Sequence, residues 1–295
     1  MFNLTKAQAY ISLFLAAAAW GFQPLCIKML VAQWPPAMLS FIRYTLISLL
    51  LLILAWWQQG RKMLPTRHNL PALFCMGLTG MALNNVLQFT GLKTTTVINS
   101  TLISALTPAM TVALAALVIR EKVTAKGWLG IVISFGGVLL VVSQGSWQVI
   151  SHIAFARGDV YCWLSQVAWA VYTLLSINVM RELSPVATTG WAGCFGAVLL
   201  GLYCFASGQY ADIALSGAGW LAFAYTVLMG GVMSMAFWNI GVKKAGPAAA
   251  AIFLNVMPLV GMLTGALLLQ ETMGFVQMLG AVAILGGVYL TTHSH

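Results

Sequence analysis

The sequence predicts an all-α integral membrane protein, with ten transmembrane helices forming two inverted five-helix repeats around a central cavity. Three observations predict it. The 295-residue chain is 61% hydrophobic and only 6% charged. An average soluble domain carries about 25% charged residues, so this chain has too little polar surface to cover a compact shape in water. Its apolar residues fall into ten runs, each near the roughly 17–25 residues that cross a bilayer as a helix. Finally, Gly91–Val142 reappears without a gap 150 positions later, as Gly241–Thr292. Gly91, Lys93, Pro108, Glu121, Gly130, Gly136 and Gly137 fall on Gly241, Lys243, Pro258, Glu271, Gly280, Gly286 and Gly287. Apolar matches mean little in so apolar a chain, but each of these residues interrupts a run at the same place. A repeat this long marks a duplicated module rather than a solenoid, whose period is roughly 20–50 residues.

The spans are placed at 8–31, 37–58, 70–91, 95–119 and 127–143 in a first repeat covering 1–143. After a linker at 144–157, those of the second repeat, 158–295, follow at 158–180, 186–207, 217–241, 247–269 and 274–292. Helices satisfy their own backbone hydrogen bonds in lipid, which open strands cannot. The first span resembles a secretory signal, with Lys6, an apolar run and small residues at Ala16–Ala19. Its apolar run continues past Trp20 to Leu30, and removing it would leave the first repeat one helix short, so it is kept as a membrane helix. The second and seventh spans open on mates 149 positions apart, Pro36 and Pro185, and Ala19-Trp20 lies the same distance from Ala168-Trp169. The fourth and ninth carry Pro108 and Pro258; the fifth and tenth are glycine-rich. Connections as short as Ala32–Pro36 and Lys243–Gly246 require antiparallel neighbours.

Basic residues orient the chain. With the N-terminus inside, the inner loops hold Lys6, Arg61, Lys62, Arg67, Arg120, Lys122, Lys126, Arg181, Lys243 and Lys244, and the outer loops only Lys93 and Arg157. This asymmetry places both termini in the cytoplasm. Five helices per repeat then make the second enter the bilayer from the opposite side, so Glu121 is expected inside and Glu271 outside. Inverted repeats of this kind supply two near-equivalent packings and alternating access to a midplane site, which is a transporter's architecture. The net charge of +9 is accounted for by these loops. No basic run with interleaved aromatics suggests a nucleic-acid partner. Cys26, Cys75, Cys162, Cys194 and Cys204 lie scattered in apolar spans without metal-ligand spacing.

Trp20-Gly21, then Phe41-Ile42-Arg43, then a span with mid-length Pro108 ending in Glu121 and leading to Gly130 and Gly136-Gly137, form an ordered set. Over about residues 10–292 the chain resembles the drug/metabolite transporter superfamily in its ten-helix, EamA-type form. That resemblance implies a bacterial inner-membrane exporter of small organic solutes, often amino acids or toxic compounds. It also implies a cavity lined by the first, third and fourth helices of each repeat. The second repeat departs from the pattern, since Gly190-Trp191-Ala192 stands where Phe-x-Arg is expected.

Candidate site residues come from four groups. Pro108 and Pro258 each remove a helix hydrogen bond, at equivalent places in the two halves, and serve either as hinges beside a midplane site or as simple kinks. Gln23, Asn84, Asn85, Gln88, Asn99, Gln166, Asn239 and Asn255 put amides inside apolar spans, where each must meet a partner helix or a cavity. Trp20, Trp163, Trp169, Tyr172 and Trp238 lie away from the interfacial aromatic belt and suit aromatic, amphipathic or cationic solutes as well as core packing. Arg43, about 10 Å inside its helix at 1.5 Å per residue, either holds a substrate carboxylate or phosphate or pairs with carbonyls. The five acids, Glu121, Asp159, Glu182, Asp212 and Glu271, all fall at helix ends or loops. No mid-helix carboxylate or histidine marks a proton relay, and Glu121 and Glu271 are read as caps of helix junctions.

The reading is therefore a secondary transporter, not an enzyme, without metal or cofactor. Its partners are a small-molecule substrate, the lipid bilayer and a possible proton or other coupling ion. An intramembrane enzyme would need a nucleophile, metal set or acid pair, and a channel a filter of charged rings or carbonyls; neither pattern occurs. Amino acids or related zwitterions are the first substrate choice, with cationic or aromatic toxicants second. Gly261-x-x-x-Gly265 permits close helix contact within one chain or between chains, so the oligomeric state stays open.

Overall fold

The computed structural model describes residues 5–118, 123–148, 156–245, 253–254 and 256–292. The described residues form helices and connecting turns, with no strand among them. In chain order the helices are α1 (Lys6–Val31), α2 (Pro36–Gln59), α3 (Leu70–Leu92), α4 (Val97–Val118), α5 (Ala125–Ser143) and α6 (Arg157–Val179). There follow α7 (Pro185–Ser207), α8 (Gly217–Val227, Leu228–Met233 and Ser234–Ala245), α9 (described over Val256–Leu268) and α10 (Phe275–Thr292). Eight are long and apolar enough to cross a bilayer, and the described parts of α9 and α10 are shorter apolar helices.

Most starts carry a local signal. Thr5 and Gln8 form a reciprocal capping box on α1, which satisfies two orphan donors. Thr96, Thr124, Ser184 and Ser216 accept the backbone N–H three residues on and open α4, α5, α7 and α8. Pro36 and Pro185 occupy first-turn positions, where proline has no intrahelical bond to lose. Outward-facing Trp57, Phe205 and Leu221 are largely exposed, as befits a surface turned to hydrocarbon.

Three contacts establish the inversion. Along α5 and α10, a Cβ added at Gly137 would stand 2.8 Å from the Gly280 carbonyl oxygen, and one at Gly287 would stand 2.5 Å from that of Gly130. The residue numbers in each pair have the same sum, so the helices run antiparallel. Because Gly130 repeats as Gly280 and Gly137 as Gly287, the two contacts exchange under the repeat. A two-fold axis relating antiparallel membrane helices lies in the membrane plane, which makes the halves upside-down copies.

The α2–α7 pair behaves alike. Phe41 fills the space over Gly201, and Leu52 that over Gly190, at 2.9 and 2.8 Å from a hypothetical Cβ. The third contact maps from one helix pair onto another: Gly91 presses on Gly158 and Cys162 of α6, and its mate Gly241 on Ala9 and Leu13 of α1.

These contacts also explain the missing Phe-x-Arg. Gly190 is the mate of Phe41, yet Leu52 occupies the room a side chain there would need. Ala192, the mate of Arg43, has its carbonyl 2.7 Å from a would-be Cβ on Gly77, and α3 and α7 pack too closely to admit an arginine.

Two irregularities are duplicated. α3 and α8 contain π-helical segments at matching places, Gly77–Leu83 and Leu228–Met233. α4 breaks at Ala105-Leu106, just before Pro108, and a turn at Leu254 precedes Pro258. Pro108 cannot bond the carbonyl of Ser104; the Thr107 hydroxyl donates to that oxygen instead, so the break leaves no orphan there.

Candidate substrate site

A polar node lies at the interrupted turn of α4. Ser104 Oγ accepts from Gln166 Nε2 of α6 at 3.1 Å and from Gln88 Nε2 of α3 at 3.5 Å. Thr107 Oγ1, whose one hydrogen is shared with the Ser104 carbonyl, lies 2.7 Å from Gln166 Oε1. Gln166 Nε2 also reaches Ser165 Oγ at 3.0 Å, and Asn84 Nδ2 donates to the Ser165 carbonyl at 2.8 Å. Three helices thus converge where Pro108 opens the backbone. Gln88, Ser104 and Thr107 are half-buried, as is Trp163 of α6, which packs against the apolar cluster beside the node.

Arg43 and Asn85 form a second, drier unit. Arg43 is 3% exposed. Its Nε donates to the Thr226 carbonyl at 3.2 Å and its Nη1 to Asn85 Oδ1 at 3.1 Å. The guanidinium carbon lies 5.3 Å from the Tyr44 ring centre and 5.9 Å from that of Phe89, within cation–π range. Asn85 Nδ2 in turn lies 3.2 and 3.0 Å from the carbonyls of Gly80 and Met81, inside the π segment of α3. Thr226 sits just before the π segment of α8. Arg43 therefore ties the two duplicated π segments together. The guanidinium thus meets one backbone carbonyl and one side-chain amide oxygen.

In α8 the mate of Gln88 is Trp238, and in α1 the mate of Gln166 is Ala17. Trp20 and Trp238 have ring centres 5.4 Å apart, and Trp20 Nε1 donates to the Gly230 carbonyl at 3.0 Å. Gln23 lies beside Gly230, and its buried Oε1 has no hydrogen-bond partner among the described residues. In α6, Trp169 and Tyr172 stack at 4.7 Å, with Tyr172 seated on Gly80. Trp238 is the mate of Gln88, and Met257 of Thr107. At these two positions the repeat exchanges an amide for an indole and a hydroxyl for an apolar side chain. Asn255, and the side chain of Asn239, lie outside the described residues. Between α1 and α8 a small, partly open cavity of about 70 Å³ is lined by Leu15, Ala19, Met229, Met233, Ser234 and Phe237, apart from the node.

Asn99 belongs to neither unit. It and Thr95 hold Asp159, which opens α6 and is 3% exposed. Thr95 Oγ1 donates to Asp159 Oδ1, and Asn99 Nδ2 lies 3.4 Å from both carboxylate oxygens. Next to them Glu271 caps α4. Its Oε1 accepts from the Val97 N–H at 2.9 Å and its Oε2 from the Ile98 N–H at 3.0 Å. Lys28 Nζ pairs with Glu271 Oε1 at 2.9 Å and donates to the Thr95 carbonyl at 2.9 Å. The junction-capping role read for Glu271 is the geometry seen. Glu121 lies outside the described residues.

Sequence reasoning named the amides and missed their partners Ser104, Thr107 and Ser165, and the burial of Asp159. A signal existed. Ser100, Ser104, Thr107 and Thr111 recur every three or four residues, a polar stripe on one face of an otherwise apolar helix.

Fold and site together define a multi-pass helical membrane transporter built from inverted repeats. The EamA-like transporter family model matches residues 7–143 and again 156–293. The chain belongs to that family. It is 30% identical, over 88% of its length and 86% of the relative's, to the uncharacterized transporter YyaM of Bacillus subtilis. It is 27% identical, over 97% and 98% of the two chains, to an uncharacterized transporter of Archaeoglobus fulgidus. The uncharacterized inner membrane transporter YedA of Escherichia coli is 24% identical over 95% of this chain and 89% of its own. A solved crystal structure at 18% identity covers 97% of this chain and 96% of its own with a TM-score of 0.65, and shares the fold.

Proposed function

We propose that the protein is a secondary transporter that exports small amphipathic or zwitterionic metabolites, amino acids first, by alternating access. The observation that carries the substrate reading is the amide and hydroxyl node at the break of α4, with the Trp20–Trp238 pair on α1 and α8. The amide and hydroxyl groups at Gln88, Ser104, Thr107 and Gln166 both donate and accept, which suits an ammonium and a carboxylate carried by one small solute. The indoles of Trp20 and Trp238 suit its apolar part. Arg43, held by protein acceptors, acts as a tie, so recognition does not depend on a fixed cation. Pro108 and Pro258 act as hinges, because each lies at a break in its helix. The basic-residue asymmetry puts both termini in the cytoplasm of an inner-membrane protein and the Glu271 end outside.

Efflux of aromatic cations is the second reading, favoured by the same indole pair. A thermal-shift screen of the purified protein with amino acids, nucleobases and quaternary amines separates them, followed by uptake into vesicles containing only this protein. The zwitterion reading expects stabilisation by amino acids that weakens in Gln166→Ala. Stabilisation by quaternary amines alone would overturn it in favour of the second.

A further inference from the structure

Among the described residues Asp159 meets no countercharge. It is 3% exposed at the start of α6, where α6 is pressed so tightly on α3 that a Cβ on Gly91 would stand 2.7 Å from the Gly158 carbonyl. Its partners, Thr95 Oγ1 and Asn99 Nδ2, are neutral. One turn further along α6, Cys162 Sγ lies 3.5 Å from Ser100 Oγ, again neutral. Arg157 and Lys93, the nearest basic residues in sequence on the two flanking elements, are exposed. Lys28, which reaches the same Thr95 through its carbonyl, is already paired with Glu271. Among the described residues Asp159 forms no ion pair.

An uncompensated carboxylate at this burial costs several kcal/mol, of which two neutral hydrogen bonds return only part. The N-terminus of α6, in whose first turn Asp159 lies, returns a further part through its dipole, and a bound cation would return the rest. The oxygens at this place, two from the carboxylate and one from the Thr95 hydroxyl, are hard donors, suited to a proton or an alkali ion rather than a soft metal, while Asn99 turns its amide nitrogen to the carboxylate. The second repeat does not reproduce the set, since Tyr10, Ala245 and Ala249 stand at the mates of Asp159, Thr95 and Asn99.

We infer that Asp159, with Thr95 and Asn99, is a binding site for one monovalent cation, a proton or sodium. Its occupancy is linked to the Lys28–Glu271 junction through Thr95, whose hydroxyl serves the site and whose carbonyl serves the junction. Movement of the α4 N-terminus breaks both contacts together. Coupling of this ion to export rests on the transporter reading proposed above; binding itself does not, so the two fail separately.

The test uses the purified full-length protein without substrate. With only five acids in the chain, the infrared band of a protonated carboxylic acid is resolvable across a pH series. The proton arm expects such a band to titrate in wild type and to be lost in Asp159→Asn. The sodium arm compares sodium chloride with choline chloride at equal ionic strength, and expects a sodium-dependent rise in melting temperature that Asp159→Asn abolishes. Linkage is read by maleimide labelling of Cys162 in a variant with the other cysteines replaced, which is expected to slow about tenfold when the cation binds. If Asp159→Asn does not fold, Asn99→Ala and Thr95→Val keep the carboxylate, and a midpoint shift of about tenfold in proton or sodium concentration is expected. Bands, melting temperatures and labelling that respond identically to both cations in wild type and variants would reduce Asp159 to a helix staple and overturn the inference.

Discussion

Replacing Gly287 with alanine is expected to part α5 from α10, whereas the same change one residue earlier, at Gly286, is expected to be harmless. A Cβ at position 287 would stand 2.5 Å from the Gly130 carbonyl and 2.4 Å from Ser134 Oγ, while one at Gly286 meets nothing within 4 Å. Ordinary contact begins near 3.4 Å, so the helix backbones must separate by about 1 Å (3.4 minus 2.5), and no rotamer change relieves a clash with a carbonyl. Overpacking of this kind costs ~1–3 kcal/mol. Alanine's better helix propensity, about 1 kcal/mol, applies to both variants and cancels in their difference. That difference therefore isolates the interface, at ~1–3 kcal/mol. The inverted repeat makes a second, independent demand, because Gly137 and Gly136 must divide in the same way. Gly137 faces the Gly280 carbonyl at 2.8 Å, and Gly136 faces open space. The double variant Gly137→Ala with Gly287→Ala is expected to cost less than the sum of its parts, since helices already parted leave room for the second methyl. Reversible unfolding in mixed micelles measures all of this. Equal losses at Gly286 and Gly287, or a harmless Gly287→Ala, would refute the antiparallel glycine contact and the two-fold axis drawn from it.

Four further outcomes are expected. A double-mutant cycle on Lys28→Met and Glu271→Gln should give a coupling of ~1–3 kcal/mol in unfolding, and no coupling would mean the pair is incidental. Paired cysteines at Ile98 and Gly265, which are in contact, should cross-link. If access alternates, their repeat mates Ala248 and Ala115 should cross-link in a separate population, and the two links should exclude each other in one molecule. Arg43→Ala should destabilise the fold by ~3–5 kcal/mol, because the loss leaves buried acceptors unpaired and a cavity between the π segments; a melting temperature unchanged from wild type would argue against the tie. Thr107→Val removes the hydroxyl that serves the Ser104 carbonyl and should cost ~1–3 kcal/mol, with an equal effect of Thr111→Val counting against a special role for the break.

The legible part of the site was chemical type. An amide in an apolar run must be satisfied, so Asn84, Asn85, Gln88 and Gln166 stood out in the sequence. Their partners did not, because serine and threonine can satisfy themselves on their own helix. The hydroxyls of Ser104 and Thr107 gain meaning only when α3 and α6 arrive beside them. Asp159 shows the same limit. At a helix start a carboxylate reads as solvated, and only the closeness of Gly91 to Gly158 makes it buried.

The sequence by itself determined the medium, the number and span of the helices, and the duplication, because hydropathy, run length and matched glycines and prolines are properties of the chain alone. The odd helix count even implied the inversion. Tertiary structure alone decided which side chains meet. It set the Arg43 guanidinium between the Thr226 carbonyl and the Asn85 side chain, beside the two π segments, and it left Asp159 without an ion pair among the described residues. The physical reason is distance: backbone constraints repeat along a chain and can be read there. Charge compensation and hydrogen-bond satisfaction depend on neighbours tens to hundreds of residues away, and packing is what brings them close.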